Sequence, residues 1–332
     1  MKNTLLKNCI VAIAILLLGR ADLNAQTFDN LDSGKPVKPI VYSQFGFLQN
    51  MGSTINGSVM DQLPVLAPNG LSLYFSSNRT GGLGAQDIYV SQRPTLTSAW
   101  GPPQNLGLAL NTSSNDTIST LSPDGLGMFM QSTRPGGMGG ADIYITTRAD
   151  TNDDFGWTAP VNIGTPINTS SNDYFGNLFL DPKDGTQTLY FNSDRPGGMG
   201  SNDIYQSLRN ADGSFNPPSA VSELNSSGSE ERTSISRDGL EIFFSSNRLI
   251  PTTDQAIFVA TRRKTSKRWS EPDHIENLNS SGSNAQPLIS DDGTLLFFVS
   301  NRVGGFGLGD LHSATRVSVK RCAVVGSSRD GN

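Results

Sequence analysis

The chain has 332 residues, a net charge of −5, 35 glycines and 18 prolines, and no block of lysine and arginine long enough to track a phosphate backbone, which argues against nucleic acid or an anionic membrane surface as partner. Two cysteines and two histidines are too few parts for a structural zinc site or a histidine-dependent nucleophile. Many glycines, serines, threonines and asparagines, without a long run of helix formers, favour short strands joined by tight turns.

The chain opens with "MKNTLLKN", then the apolar run "CIVAIAILLLG", then "LNAQ" with the small Ala25. That order is the pattern of a secretory signal peptide over residues 1–25. The run is shorter than the roughly 20 apolar residues a bilayer requires, and Cys9 precedes it, which does not fit a lipoprotein anchor. The sequence therefore predicts a soluble, exported chain, periplasmic or extracellular, with no membrane span. Only Cys322 outlasts such a cleavage, so stability has to come from packing and not from an internal disulfide.

From residue 60 onward the chain repeats itself. "SSNRTGGLGAQDIYVSQR" at 76–93 returns as "QSTRPGGMGGADIYITTR" at 131–148 and as "NSDRPGGMGSNDIYQSLR" at 192–209. The marker arginine recurs at Arg79, Arg134, Arg195, Arg248 and Arg302, a period of about 55 residues, so there are five units. Each unit opens with a short segment ending in Asn-Gly or Asp-Gly, a strong hairpin signal because those pairs accept positive φ. An apolar run such as "LSLYFSSNR" follows, then a loop, then a third strand such as "DIYVSQR", then a short segment marked by an aromatic residue. The apolar runs carry bulky groups at consecutive positions, so those strands are covered on both faces. Four strands per unit and five units predict an all-β, five-bladed β-propeller. The fifth unit stops after its third strand, while residues 40–57 match a fourth strand with Phe45 in the aromatic place; the ring is expected to close through that N-terminal segment. The propeller is placed at 40–317, with loosely held ends at 26–39 and 318–332.

The Ser-Pro-Asp-Gly turn, the "LYFSSNR" strand and the "GGLGAQDIY" return resemble the WD40-like propeller repeat of TolB-type and OmpA-associated envelope proteins, over roughly residues 40–316. The resemblance implies an interaction scaffold in the cell envelope. No stretch after the propeller resembles an OmpA-type domain, so the resemblance carries over no peptidoglycan anchor.

Within each unit the marker arginine and the aspartate opening the third strand flank one hairpin neck, so Arg79 with Asp87, Arg134 with Asp142, Arg195 with Asp203 and Arg302 with Asp310 are expected to pair as repeated structural bridges. Blade four departs from the pattern: its loop is "LIPTTDQA" and Ala256 replaces the aspartate. Trp100, Trp157, Trp269, Phe215 and Phe45 recur once per unit and are expected between blades. A second set, Asp61, Asp116, Asp173, Glu230 and Asn284, stands at the start of each innermost strand. These residues are expected to ring one channel mouth, either capping their own blades or converging on a hard cation such as Ca²⁺. No other cofactor is implied. On the same face the glycine loops carry Leu83, Met138, Met199 and Phe306 at their tips, either tucked onto neighbouring blades or offered as a recognition surface. The basic run 262–268 reads as a solvated loop.

Two functions compete. A glycoside hydrolase-like propeller needs two carboxylates in unlike surroundings, whereas the mouth acids are repeated from blade to blade. The reading favoured by that sameness is a monomeric, non-catalytic scaffold binding a protein or glycan of the cell envelope.

Overall fold

The computed structural model describes residues 41–249, 254–280 and 282–319. The predicted signal peptide, the 26–39 segment, Cys322 and the rest of the C-terminal end lie outside the described residues. Two strands precede the first full blade, β1 (Val41–Tyr42) and β2 (Gly46–Asn50). Blade one is β3 (Asp61–Leu66), β4 (Ser72–Ser77), β5 (Asp87–Gln92) and β6 (Gln104–Asn105). Blade two is β7 (Asp116–Leu121), β8 (Gly127–Ser132), β9 (Asp142–Thr147) and β10 (Val161–Asn162). Blade three is β11 (Asp173–Leu180), β12 (Gln187–Ser193), β13 (Asp203–Arg209) and β14 (Ser219–Ala220). Blade four is β15 (Glu230–Ile235), β16 (Glu241–Ser246), β17 (Ala256–Thr261) and β18 (Asp273–His274). The last strands are β19 (Asn284–Ile289), β20 (Leu295–Ser300), β21 (Asp310–Thr315) and β22 (Ser318–Val319).

Every blade is a four-stranded antiparallel meander, and the fifth has the order β19-β20-β21-β2, so the N-terminal strand completes the last blade as expected. First strands pack on one another in the cycle β3, β7, β11, β15, β19 and back to β3, which makes them the innermost strands of a closed ring of five. The closure extends two residues beyond the expected boundary at 317, because Tyr42 pairs with Ser318 and Val41 with Val319 in a separate two-stranded ribbon. Among the described residues no helix is long and apolar enough to cross a membrane.

Local chemistry explains the blades. The β3–β4 turn ends at Gly70 with φ near 69°, and the matching Gly125, Gly185, Gly239 and Gly293 lie within a few degrees of it, the conformation that Asn-Gly and Asp-Gly pairs supply. Second strands are sealed on both faces; all six residues of β4 are buried. The once-per-blade aromatics pack backwards onto the preceding blade. Trp157 meets Tyr74 edge-on at 6.3 Å, Trp269 joins Phe179 and Tyr190, and Phe45 meets Phe243 at 6.0 Å. An arginine from the end of each third strand lies over the same aromatic, at 4.7 Å for Arg148 on Trp157 and 4.0 Å for Arg262 on Trp269. Arg262 belongs to the basic run, whose remaining cations are exposed on a surface turn.

Phe45 is the test of closure, since it is the aromatic that the N-terminal strand brings to the last blade, buried against Phe243 and beneath Arg316. Phe45→Ala is expected to cost about 3–5 kcal/mol in urea unfolding. A loss below 1 kcal/mol shows that the ring does not depend on the N-terminal strand.

Candidate functional site

The five mouth residues are fully buried, and the structure assigns their partners differently from the hairpin-neck expectation. Arg79 does not bridge to Asp87. Its Nη2 donates to Asp61 Oδ1 at 2.6 Å and to the Ile55 carbonyl at 2.9 Å, while its Nε donates to Ser77 Oγ. The same clamp joins Arg134 to Asp116 at 2.7 Å, Arg195 to Asp173 at 2.6 Å and Arg248 to Glu230 at 3.2 Å. In blade five Arg302 donates to the amide oxygen of Asn284 at 2.7 Å. The reason is register. Asp61 lies opposite Ser77, so an arginine two residues further on returns across the first strand, not the third. The second carboxylate oxygen is also engaged: Asp116 Oδ2 accepts from the N–H and the hydroxyl of Thr112, each at 2.6 Å.

These oxygens are engaged by the guanidinium and the crossover groups beside them. Among the described residues no three His, Cys, Asp or Glu side chains gather closely enough to hold a metal ion. The hydrogen bonds of the ring are those of the capping arrangement.

Asp87 and its counterparts hold the glycine loops instead. Asp142 accepts from the Met138 N–H at 2.5 Å, the Gly139 N–H at 3.2 Å and the Asn162 side-chain amide at 3.1 Å. Asp310 accepts from the Phe306 and Gly307 N–H groups and from Asn50. The loop glycines have separate tasks. Gly136 sits at φ near 90°, a Cβ on Gly137 would strike the Asp142 carboxylate, and one on Gly139 would strike the Ser171 carbonyl of the next blade's crossover. Blade three has Ala220 where Asn105 and Asn162 stand opposite Tyr89 and Tyr144. There both the Met199 and Gly200 N–H groups donate to Asp203 Oδ2, its Oδ1 is buried without a partner, and burial pushes its carboxyl up. In blade four both halves of that contact change together, to Ala256 and His274.

The four loop tips are part-exposed on the face that carries the clamps: Leu83 43%, Met138 45%, Met199 58% and Phe306 48%. The loops behind them are fixed by the aspartates and do not fold the tips away.

Sequence reasoning passed over two features. One is an asparagine in every crossover, "INGS", "LNTS", "INTS" and "LNSS", whose amide bonds both backbone groups of the preceding blade's third strand. Asn111 accepts from the Ile88 N–H at 2.8 Å and donates to its carbonyl at 3.0 Å, and Asn56, Asn168, Asn225 and Asn279 repeat this. Its recurrence was visible. The other breaks the repeat. Directly after each clamp residue the innermost strands carry Gln62, Thr117, Tyr174, Glu231 and Ala285, and only one of these is an acid. Glu231 is half-buried, its carboxyl raised by burial despite a hydrogen bond from Ser229. Tyr174 on the neighbouring strand is pushed up to about 12, first by burial and then by Asp194, Glu231 and Asp173. Gln62 meanwhile joins Gln86 at 2.8 Å and Gln286 at 3.3 Å. The mouth is thus polar, uneven and open to chemistry that the clamps are not.

Solved structures supply comparisons. The chain is similar to an α-L-arabinofuranosidase from Podospora anserina at TM-score 0.52 and 13% identity, over 83% of this chain and 97% of that one. It is similar to an endo-arabinase from Bacteroides thetaiotaomicron at TM-score 0.52 and 16% identity, over 80% and 99%. TolB from Acinetobacter baumannii aligns at TM-score 0.46 and 16% identity, over 77% of this chain and 54% of that one. The likeness shows the fold alone. No family model and no curated protein sequence matches the chain.

Arg134→Ala leaves Asp116 buried without its cation and is expected to cost about 3–5 kcal/mol, whereas Arg302→Ala, facing the neutral Asn284, is expected to cost about 1–2 kcal/mol, both read by chemical denaturation. Equal losses show that the clamp is not electrostatic. A carboxyl raised in the folded state favours folding while protonated and loses that advantage as pH rises through its folded value. The melting temperature of Glu231→Gln should therefore match wild type near pH 4 and exceed it increasingly as pH climbs above the ordinary carboxylate range, roughly 4–4.5.

Proposed function

We propose that this chain is an exported, non-catalytic propeller that presents its clamp-bearing face to a protein or glycan of the cell envelope. One observation carries the reading: the carboxylates repeated around the ring are spent on their own arginines, so the face retains recognition elements and not a paired acid and base. Glycoside hydrolysis requires two carboxyl groups about 5–10 Å apart. At the mouth Glu231 stands as a single acid among Gln62, Thr117, Tyr174 and Ala285. The surrounding tips Leu83, Met138, Met199 and Phe306 offer apolar contact around that polar mouth, the division between apolar anchor and polar selector that binding surfaces use. Export rests on the N-terminal sequence pattern.

A hydrolase is the second reading, and Glu231 favours it: an acid with a raised pKa beside a tyrosine, without a counterpart in the other blades, is what a general acid requires.

The two separate by experiment. Binding of the purified chain to peptidoglycan sacculi, envelope glycans and solubilised envelope proteins is measured for wild type and for the variant with Leu83, Met138, Met199 and Phe306 all changed to Ser. The binding reading expects at least a tenfold loss of affinity with an unchanged melting temperature. Turnover of chromogenic arabinosides or other glycosides, abolished in Glu231→Gln, would replace it with the hydrolase reading.

A further inference from the structure

Arg232 is the largest fully buried side chain of the described residues, 2% exposed. It belongs to β15 in blade four, yet its Nη2 donates to the Pro64 carbonyl of blade one at 2.6 Å and to the Ser119 carbonyl of blade two at 3.2 Å. In a ring of five those blades lie across the channel from blade four, so the guanidinium spans the centre. The carbonyls it reaches come from irregular stretches of β3 and β7, where the ladder shifts register between Gln62 and Val65 and between Ile118 and Thr120. Arg232 itself sits in such a bulge at φ near 40°, an unfavourable backbone for a non-glycine residue that turns the strand locally.

The charge on this guanidinium is uncompensated. None of the ion pairs among the described residues includes Arg232. Its Nη1 is buried without any hydrogen-bond partner. The Thr117 and Ser119 hydroxyls on β7 and the Thr233 hydroxyl on β15 are buried and equally unpartnered. Burial alone lowers the Arg232 pKa to about 9, which still leaves the group charged at neutral pH. A buried cation without a counter-charge is strongly disfavoured, and buried donors without acceptors add to the cost. Four orphan donors on two inner strands, one of them cationic, are a set that an anion satisfies and a water satisfies only in part.

We propose that the axial channel binds a monatomic anion of the chloride class at Arg232 Nη1, with the hydroxyls of Thr117, Ser119 and Thr233 as the further donors. Enclosure sets the size class, because all four residues are at most 3% exposed, which leaves no path for the substituent of a carboxylate or phosphate ester. The ion would tie blade four to blades one and two across the axis.

The test uses the full chain in gluconate buffer, titrated with sodium chloride, sodium bromide or sodium gluconate at matched ionic strength. Wild type should show a saturable rise in melting temperature with either halide and none with gluconate. Arg232→Met should lose the rise, while Arg263→Ala, which removes an exposed cation, keeps it. Should Arg232→Met fail to fold, crystals grown in bromide decide the matter for wild type: an anomalous peak beside Arg232 Nη1 supports the site. Identical salt responses in wild type and Arg232→Met, or an ordered water beside Nη1 with no bromide peak, overturn it.

Discussion

The arginine clamp is the interaction on which the ring depends. Each marker arginine holds three things: the carboxylate at the start of its own blade's first strand (in blade five the amide oxygen of Asn284), the serine at the end of its second, and a carbonyl of the crossover arriving from the blade before. The next residue of that crossover is the asparagine that bonds both backbone groups of the previous third strand. Arg134, Leu110, Asn111 and Ile88 thus form one continuous connection from blade two to blade one. The guanidinium also lies 5.1 Å over Tyr144, so desolvation of the charge is offset by carboxylate, carbonyl and ring together. Apolar packing drives each blade to form a sheet, but packing is non-directional; the clamp fixes where one blade meets the next.

Divergence within the repeat follows physical rules. At the clamp, blade five replaces the acid with Asn284, and the amide turns its NH₂ towards the Ser280 and Gly282 carbonyls where the other blades accept from N–H groups. The geometry survives because the oxygen still faces the arginine. In blade four the loop aspartate and the residue opposite change together, to Ala256 and His274, and the loop glycines go with them, since glycine there existed to make room for the carboxylate. Blade three changes only one half, to Ala220, and there both loop N–H groups move onto Asp203 Oδ2 while Oδ1 has no partner.

The fold was legible because its signals are local and repeated: turn pairs that adopt positive φ, two-faced apolar strands, one aromatic per blade, and a missing fourth strand supplied by "FGFLQN". The clamp was misassigned because sequence proximity suggested a partner across the hairpin loop, where Asp87 is eight residues from Arg79, and the register of β3 against β4 favoured Asp61, eighteen residues away. The burial of the mouth acids followed from the same error, since a ring of carboxylates looks available until each is given its arginine. Glu231 and Arg232 stood in plain view in "SEERTS", but a repeat-based reading discounts residues without counterparts.

That discount runs opposite to where chemistry resides in a symmetric scaffold. Four of the five clamps place a carboxylate in like surroundings, against its own arginine, so no pair among them is set apart to divide the roles of acid and base. Asymmetry has to enter at positions the architecture leaves free. In this ring those are the residue after each clamp acid, Gln62, Thr117, Tyr174, Glu231 and Ala285, and the bulged residue after that, Leu63, Ile118, Phe175, Arg232 and Gln286. In the first set Thr117 is buried, while Gln62, Tyr174, Glu231 and Ala285 are part-exposed and uneven in chemistry. In the second a lone guanidinium gathers carbonyls from the opposite side of the ring. The strands that carry the first set are therefore the ones this guanidinium ties together across the ring, since Arg232 of β15 reaches Pro64 of β3 and Ser119 of β7.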